Sequence, residues 1–131
     1  MLATLAALFA LSWPTPELTV YRVETEPVAI YLASVEANRN GWRISKVTPT
    51  GSMKPLLNGG EYVVGEPYTG QGLHVGMVVI FDRGDTPRVL HMIAVIRGDM
   101  VYMSGINNRY SDGWFPKSRI LEIARAGYGV K

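Results

Sequence analysis

The apolar positions of this chain change their period twice along its length. Residues 1–13 form an unbroken stretch without a charged side chain. Pro14 and Pro16 interrupt it, and residues 17–24 then alternate, rich in Val, Thr and Tyr, as a strand does. Over residues 27–38 the spacing becomes helical. Val28, Tyr31, Leu32 and Val35 fall at i, i+3, i+4 and i+7, Pro27 suits a first turn, and Gly41 stands just past the end. This predicts one amphipathic helix with those four residues as its apolar stripe.

From Trp42 onward the pattern returns to short apolar runs separated by Gly, Asp, Asn and Pro: residues 42–48, 61–64, 77–82, 89–96, 100–103 and 119–125. Residues 83–87 (Arg-Gly-Asp-Thr-Pro) and 97–99 (Arg-Gly-Asp) carry the turn chemistry that folds successive strands back as hairpins. The expectation is a mainly β fold, a coiled antiparallel sheet or partly open barrel. It forms one domain over residues 17–131, preceded by a short apolar segment, residues 1–16.

Composition narrows the chemistry. A chain of 131 residues with 47% hydrophobic composition suffices for one continuous core. Thirteen basic against eleven acidic residues give a formal charge of +2, far from the basic field of a nucleic-acid binder, so no nucleic-acid partner is expected. The absence of cysteine excludes thiol nucleophiles, disulfides and thiolate metal sites. The two histidines, His74 and His91, lack the close spacing of a helical metal pair, and neither metal nor cofactor is expected. Residues 1–13 fall short of the about 20 apolar residues of a membrane span. Their length fits a secretory apolar region, with Ala10-Leu11-Ser12 as a small-residue site, but no Lys or Arg precedes them. A membrane-dipping anchor, a weak signal and a packed apolar helix are the three readings.

Three residues could carry chemistry. Ser52 lies in Thr50-Gly51-Ser52-Met53-Lys54-Pro55, directly after a predicted strand, where Pro49, Gly51 and Pro55 prevent regular pairing. A serine on such a turn can expose its hydroxyl beside free backbone N–H groups, although serines also favour turns for ordinary hydrogen bonding. His91 sits in an apolar strand, on one face with Val89, Ile93 and Val95 by alternation. It is either a core histidine or a base held against a partner. Asp112 ends the polar loop of residues 104–113, from which an aspartate could orient an imidazole. His74, flanked by Gly72 and Gly76, reads as an exposed loop residue.

In combination these segments resemble the signal peptidase I family, in the serine–histidine branch of archaea and the endoplasmic reticulum. Gly51-Ser52-Met53-Lys54-Pro55 is similar to its nucleophile box and Gly76-Met77-Val78-Val79-Ile80-Phe81 to the strand that follows. Val89-Leu90-His91 is similar to its base box, and Gly105-Ile106-Asn107-Asn108 through Asp112 to the box carrying the third triad member. The resemblance spans residues 42–130. It departs from the family at Ile106, where an aspartate is common, and at Met92, where an arginine is common.

The resemblance implies a sheet of the signal peptidase type and a serine endopeptidase with Ser52 as nucleophile, His91 as base and Asp112 orienting it. It implies an oxyanion hole from the Ser52 N–H and the Thr50 hydroxyl. The substrate would be an extended precursor segment with a small-x-small cleavage site, added as a strand beside residues 42–48 and the 77–82 hairpin. Ile44, Val47, Met53, Pro55 and Val79 would contact it. A membrane or cell-envelope setting, with residues 1–13 touching the membrane, also follows. Two rivals stand beside this reading. A Ser/Lys peptidase finds no lysine in the strand around His91, since Lys54 lies on the nucleophile's own turn and Lys117 beyond the Asn-Asn loop. A non-catalytic module would use a decayed peptidase sheet to bind extended peptides or build an assembly.

Overall fold

The computed structural model describes residues 14–131, so the three readings of residues 1–13 lie outside the described residues. The chain runs through β1 (Thr19–Val23), α1 (Glu26–Asn40), β2 (Arg43–Lys46), β3 (Tyr62–Pro67), β4 (Val78–Phe81), β5 (Val89–Arg97), β6 (Met100–Ser104), β7 (Gly113–Pro116) and β8 (Ile120–Val130). All eight strands join one sheet in the order β2-β3-β8-β4-β5-β6-β7, with β1 also on β8. The fold is mainly β with one helix, as the alternation predicts. The sheet is not closed into a barrel, because β2 and β7 end it without pairing to each other.

β8 organises the sheet. One flank pairs antiparallel with β3 throughout, from Pro67↔Glu122 to Tyr62↔Tyr128. The other pairs first with β4, to Val79↔Ile123, and then in parallel with β1, from Thr19↔Ala126. This strand outruns the predicted residues 119–125 because its second half is Ala126, Gly127 and Gly129. Small residues have little strand preference of their own, and pairing on both flanks holds them extended. β7 escapes prediction for a related reason: four residues after a polar loop carry no periodicity, and only β6 pairs with them.

Besides the cluster under the helix, two apolar clusters pack the sheet. One holds Val79, Phe81, Val89, Ile93, Val101, Met103 and neighbours; the other holds Met53, Leu57, Val63, Val78 and Ala124. β4 serves both and is buried at every position, which is why its run shows no polar alternation. β5 carries a bulge between Ile93 and Val95 against β6. The extra residue shifts the alternation, so Ile96 rather than the predicted Val95 packs on the cluster that contains Ile93.

The helix departs from its predicted face. Ala29, Ala33 and Ala37 are the buried residues, packed with Val64, Trp42, Tyr62 and Tyr128. Val28 and Tyr31 are 45% and 66% exposed. Alanines four residues apart let the helix backbone approach the sheet, whose aromatic side chains fill the gap, so that of the predicted stripe Leu32 and Val35 are half-buried and Val28 and Tyr31 are left outside. Hydropathy alone cannot rank a bulky stripe below a small one that fits. No described helix is long and apolar enough to cross a membrane.

The packing predicts that Ala33→Leu, which overfills the contact, costs about 1–3 kcal/mol. Tyr31→Ala should change stability by no more than about 0.5 kcal/mol. Urea midpoints of the two variants check this, and the reverse ranking would restore the stripe of Val28 and Tyr31 as the packed face.

Candidate active site

The turn between β2 and β3 is held from within and from across the sheet. Met53 and Leu57 are buried in the second cluster, with the Leu57 N–H donating to the Met53 carbonyl at 2.9 Å. Ile106, from the loop after β6, packs on the same cluster. From the loop after β6, the Asn107 N–H donates to the Ser52 carbonyl at 2.9 Å and Asn107 Nδ2 to the Gly51 carbonyl at 3.3 Å. A Cβ at residue 105 would lie 2.8 Å from the Ser52 carbonyl oxygen, so only glycine permits this approach. The Gly-x-Asn-Asn segment thereby fixes the backbone that presents Ser52.

His91 is 4% exposed, on β5 opposite Val79, with its ring centroid 6.4 Å from that of Phe81. Its Nδ1 lies 2.6 Å from Asp112 Oδ2. An ionised carboxylate can only accept, so Nδ1 carries a proton, and in the neutral form of the imidazole the lone pair is on Nε2. Asp112 is placed by the loop's return into β7, where its N–H donates to the Met103 carbonyl at 2.9 Å. Its other oxygen accepts from Arg83 Nη1 at 2.9 Å. Burial pushes the Asp112 carboxyl upward, but the hydrogen bonds and charges of His91 and Arg83 outweigh it and hold the group below the ordinary aspartate value.

Arg83 is the part of this site that the sequence reading missed. By sequence it belongs only to the 83–87 turn, and an arginine at a strand end carries no signal that distinguishes it. Asp85 Oδ1 at 2.7 Å from Nε and Thr86 Oγ1 at 3.3 Å from Nη2 fix its guanidinium. The cation on Asp112 thus comes from the turn between β4 and β5, and Met92, beside His91 in sequence, is fully buried.

A cleft of about 600 Å³ connects these elements. Of the predicted site residues, Val47, Thr50, Ser52, Met53 and His91 line it, and Asp112 stands behind His91. Ile44 and Pro55 lie outside the lining. Val79, the cross-strand neighbour of His91, is fully buried in the core, so a substrate could not touch it. The predicted strand neighbour at residues 77–82 also moves, because β4 is paired on both sides, by β5 and β8. The free edge belongs to β5, whose described pairing with β6 begins only at Met92↔Ser104. A further free edge at the cleft is that of β2, one end of the sheet, whose Ser45 and Lys46 line it.

The Ser52 hydroxyl bonds to Thr50 Oγ1 at 3.2 Å, and the Ser52 N–H makes a long contact of 3.4 Å to the same atom. Among the described residues Ser52 makes no hydrogen bond to His91. Lysine chemistry has little footing. Lys54 is exposed, and Lys46, which lines the cleft, is held protonated above its ordinary value by Tyr62 and Glu26 beside it. His74 is exposed and paired with Glu17. Among the described residues no group of three or more His, Cys, Asp or Glu could hold a metal ion.

Comparison with protein-family models, curated proteins and solved structures finds no match.

The lowered Asp112 carboxyl has a signed consequence for stability. Its ionised form favours the fold fully above the unfolded value of about 3.9, and this contribution is lost as pH falls through the lower folded value. Asp112→Asn should therefore lower the thermal midpoint at neutral pH, and the gap to wild type should narrow below about pH 4. A gap constant from pH 7 to pH 2 would contradict the ionised, paired state.

Proposed function

We propose that the chain is a serine endopeptidase of the signal peptidase I type, acting on extended segments with a small-x-small cleavage site. The observation that carries this reading is the buried His91–Asp112 pair at 2.6 Å, on the wall of a cleft that Ser52 also lines. A core histidine satisfied by a backbone carbonyl would not need a carboxylate, a guanidinium behind it and an open cleft in front. The mainly β sheet is in keeping with the coiled sheet of that family, and residues 1–13 would associate with a membrane or cell envelope.

In this mechanism Ser52 Oγ attacks the scissile carbonyl carbon while His91 Nε2 takes its proton. The tetrahedral intermediate collapses with cleavage of the C–N bond, and His91 returns the proton to the leaving amine. Water, deprotonated by His91, then cleaves the acyl ester and regenerates Ser52. Asp112 keeps Nδ1 protonated and stabilises the imidazolium, and Arg83 keeps Asp112 ionised and in place. The Ser52 N–H and Thr50 hydroxyl are the oxyanion donors. They touch each other only through long bonds that a developing oxyanion would replace, and one such donor contributes about 10²–10³ in kcat. The Ser52 hydroxyl must swing from Thr50 to His91, a tightening common on substrate binding. The substrate adds as a strand between the free edges of β2 and β5.

One observation favours a second reading, a non-catalytic module that binds extended peptides: the Ser52 hydroxyl is bonded to Thr50. A serine-reactive phosphonate separates the two, since only an activated Ser52 is labelled. Ser52→Ala should abolish both labelling and cleavage with an unchanged melting temperature, because a turn hydroxyl contributes little packing. His91→Ala should be equally inactive and less stable. Asp112→Asn should lower kcat by up to about 10⁴-fold. For the wild type, kcat/KM against a peptide with alanines at the first and third positions before the bond should rise through about pH 6–7.5, the range of a histidine base. A controlling limb above about pH 8.5 would indicate a lysine and remove His91 from the mechanism.

A further inference from the structure

The cleft wall has a one-sided charge distribution. Lys46, Arg83 and Arg88 line it, and no carboxylate does. Two of their acidic partners are buried behind them, Asp112 for Arg83 and Glu122 for Arg88, while Glu26 beside Lys46 and Asp85 beside Arg83 are exposed but outside the lining. A ligand entering the cleft therefore meets cations and hydrogen-bond donors first.

Arg88 is the one of the three held by a fully buried carboxylate with donors to spare. It directly precedes β5, yet its Nη2 reaches Glu122 Oε2 on β8 at 2.7 Å and Ser45 Oγ on β2 at 2.9 Å. It thus spans the cleft from the start of β5 to β2, two strands with free edges there. Glu122 is 1% exposed, and its Oε1 is the only buried side-chain oxygen or nitrogen without a hydrogen-bond partner among the described residues. The space for that oxygen exists because residue 65 is glycine: a Cβ there would lie 2.3 Å from Oε1. A buried carboxylate aimed at one arginine from below fixes a guanidinium more firmly than a surface pair could. The Arg88 side chain remains 41% exposed. Both of its contacts use Nη2, so the N–H groups of Nη1 and Nε are uncommitted among the described residues.

We propose that Arg88 is a specificity-determining residue that reads a carboxylate side chain on an extended peptide lying in the cleft. A strand advances about 3.3 Å per residue, so Arg88 stands about 10 Å along the chain from His91. The acidic residue would accordingly lie about three positions from the residue opposite His91. This deepens the peptidase reading by naming a feature of its substrate, and it rests on that reading only for the identity of the ligand as a peptide.

The test measures binding separately from cleavage. Fluorescent peptides with an Ala-x-Ala core carry Asp or Asn at each position out to four residues on either side, and their Kd values are measured for full-length Ser52→Ala. One charge-assisted contact predicts an Asp peptide that binds about tenfold tighter than its Asn counterpart, with the preference confined to one position about three residues from the core. The preference should disappear in Ser52→Ala carrying Arg88→Met and Glu122→Gln together, which leaves no buried charge unpaired, and persist with Lys46→Gln. On Ser52→Ala itself it should weaken as salt is raised, a measurement that does not depend on the folding of the further variants. Equal Kd values for Asp and Asn at every position, failure of every peptide to bind, or a preference that survives the double change would each overturn the proposal. A retained aspartate preference with no cleavage by the wild type would instead remove the peptidase reading and leave Arg88 in its role.

Discussion

Asp112 places a negative charge almost out of reach of water, and that is sustainable only because two donors converge on it. Each comes from a different part of the chain. His91 stands on β5, Arg83 on the turn joining β4 to β5, and Asp112 itself where the loop after β6 returns into β7. An isolated buried carboxylate would protonate, and a protonated one would no longer fix the imidazole proton on Nδ1. The pairing of these three side chains thus sets the position of the loop, and the loop sets the Ser52 turn through Asn107 and the close approach at Gly105. The electrostatics of one carboxylate and the backbone presentation of one serine are parts of the same construction.

The same solution recurs. Glu61 is paired with Arg22 at 2.8 Å, Glu122 with Arg88 at 2.7 Å and Asp112 with Arg83 at 2.9 Å. In each pair the carboxylate is at most 5% exposed and the arginine at least 30%. Arginine suits this asymmetry, because its long apolar stem crosses the packing layer while its weakly hydrated, forked head stays partly in solvent. Glu61 also accepts the N–H groups of Asn58 and Gly59, and so shapes the chain leading from the Ser52 turn into β3. Burial pushes its carboxyl upward, and these donors together with Arg22 bring it below the ordinary value.

Packing explains why the cleft lies where it does. The second apolar cluster draws Met53, Leu57 and Ile106 onto the sheet face formed with Val63, Val78 and Ala124, which brings the Ser52 turn down over that face. β2 ends the sheet on one side of the gap, and β5 has an unpaired stretch on the other before its contact with β6 begins. The helix seals a different part of the sheet through its alanines and leaves this opening clear.

The sequence alone determined the elements with strong local signals: the helix, from its 3.6-residue period and its Pro and Gly boundaries, and six of the strands after it that alternation or apolar runs could reveal, with only β7 undetected. It also determined three candidate residues whose surroundings were chemically unusual: a serine among turn formers, a histidine in an apolar strand and an aspartate in a polar loop. Such signals are local, and the side chain's own neighbours in the chain carry them. Tertiary structure decided what depends on partners far along the chain. It decided that Ala29, Ala33 and Ala37 pack rather than the bulkier stripe, because fit against Tyr62 and Tyr128 outweighs hydropathy. It decided that β7 and the far half of β8 are strands, because pairing supplies what propensity lacks. It decided that Val79 is core and that Arg83 and Arg88 face the cleft, because a strand's face and an arginine's reach are fixed only when the sheet and its register exist.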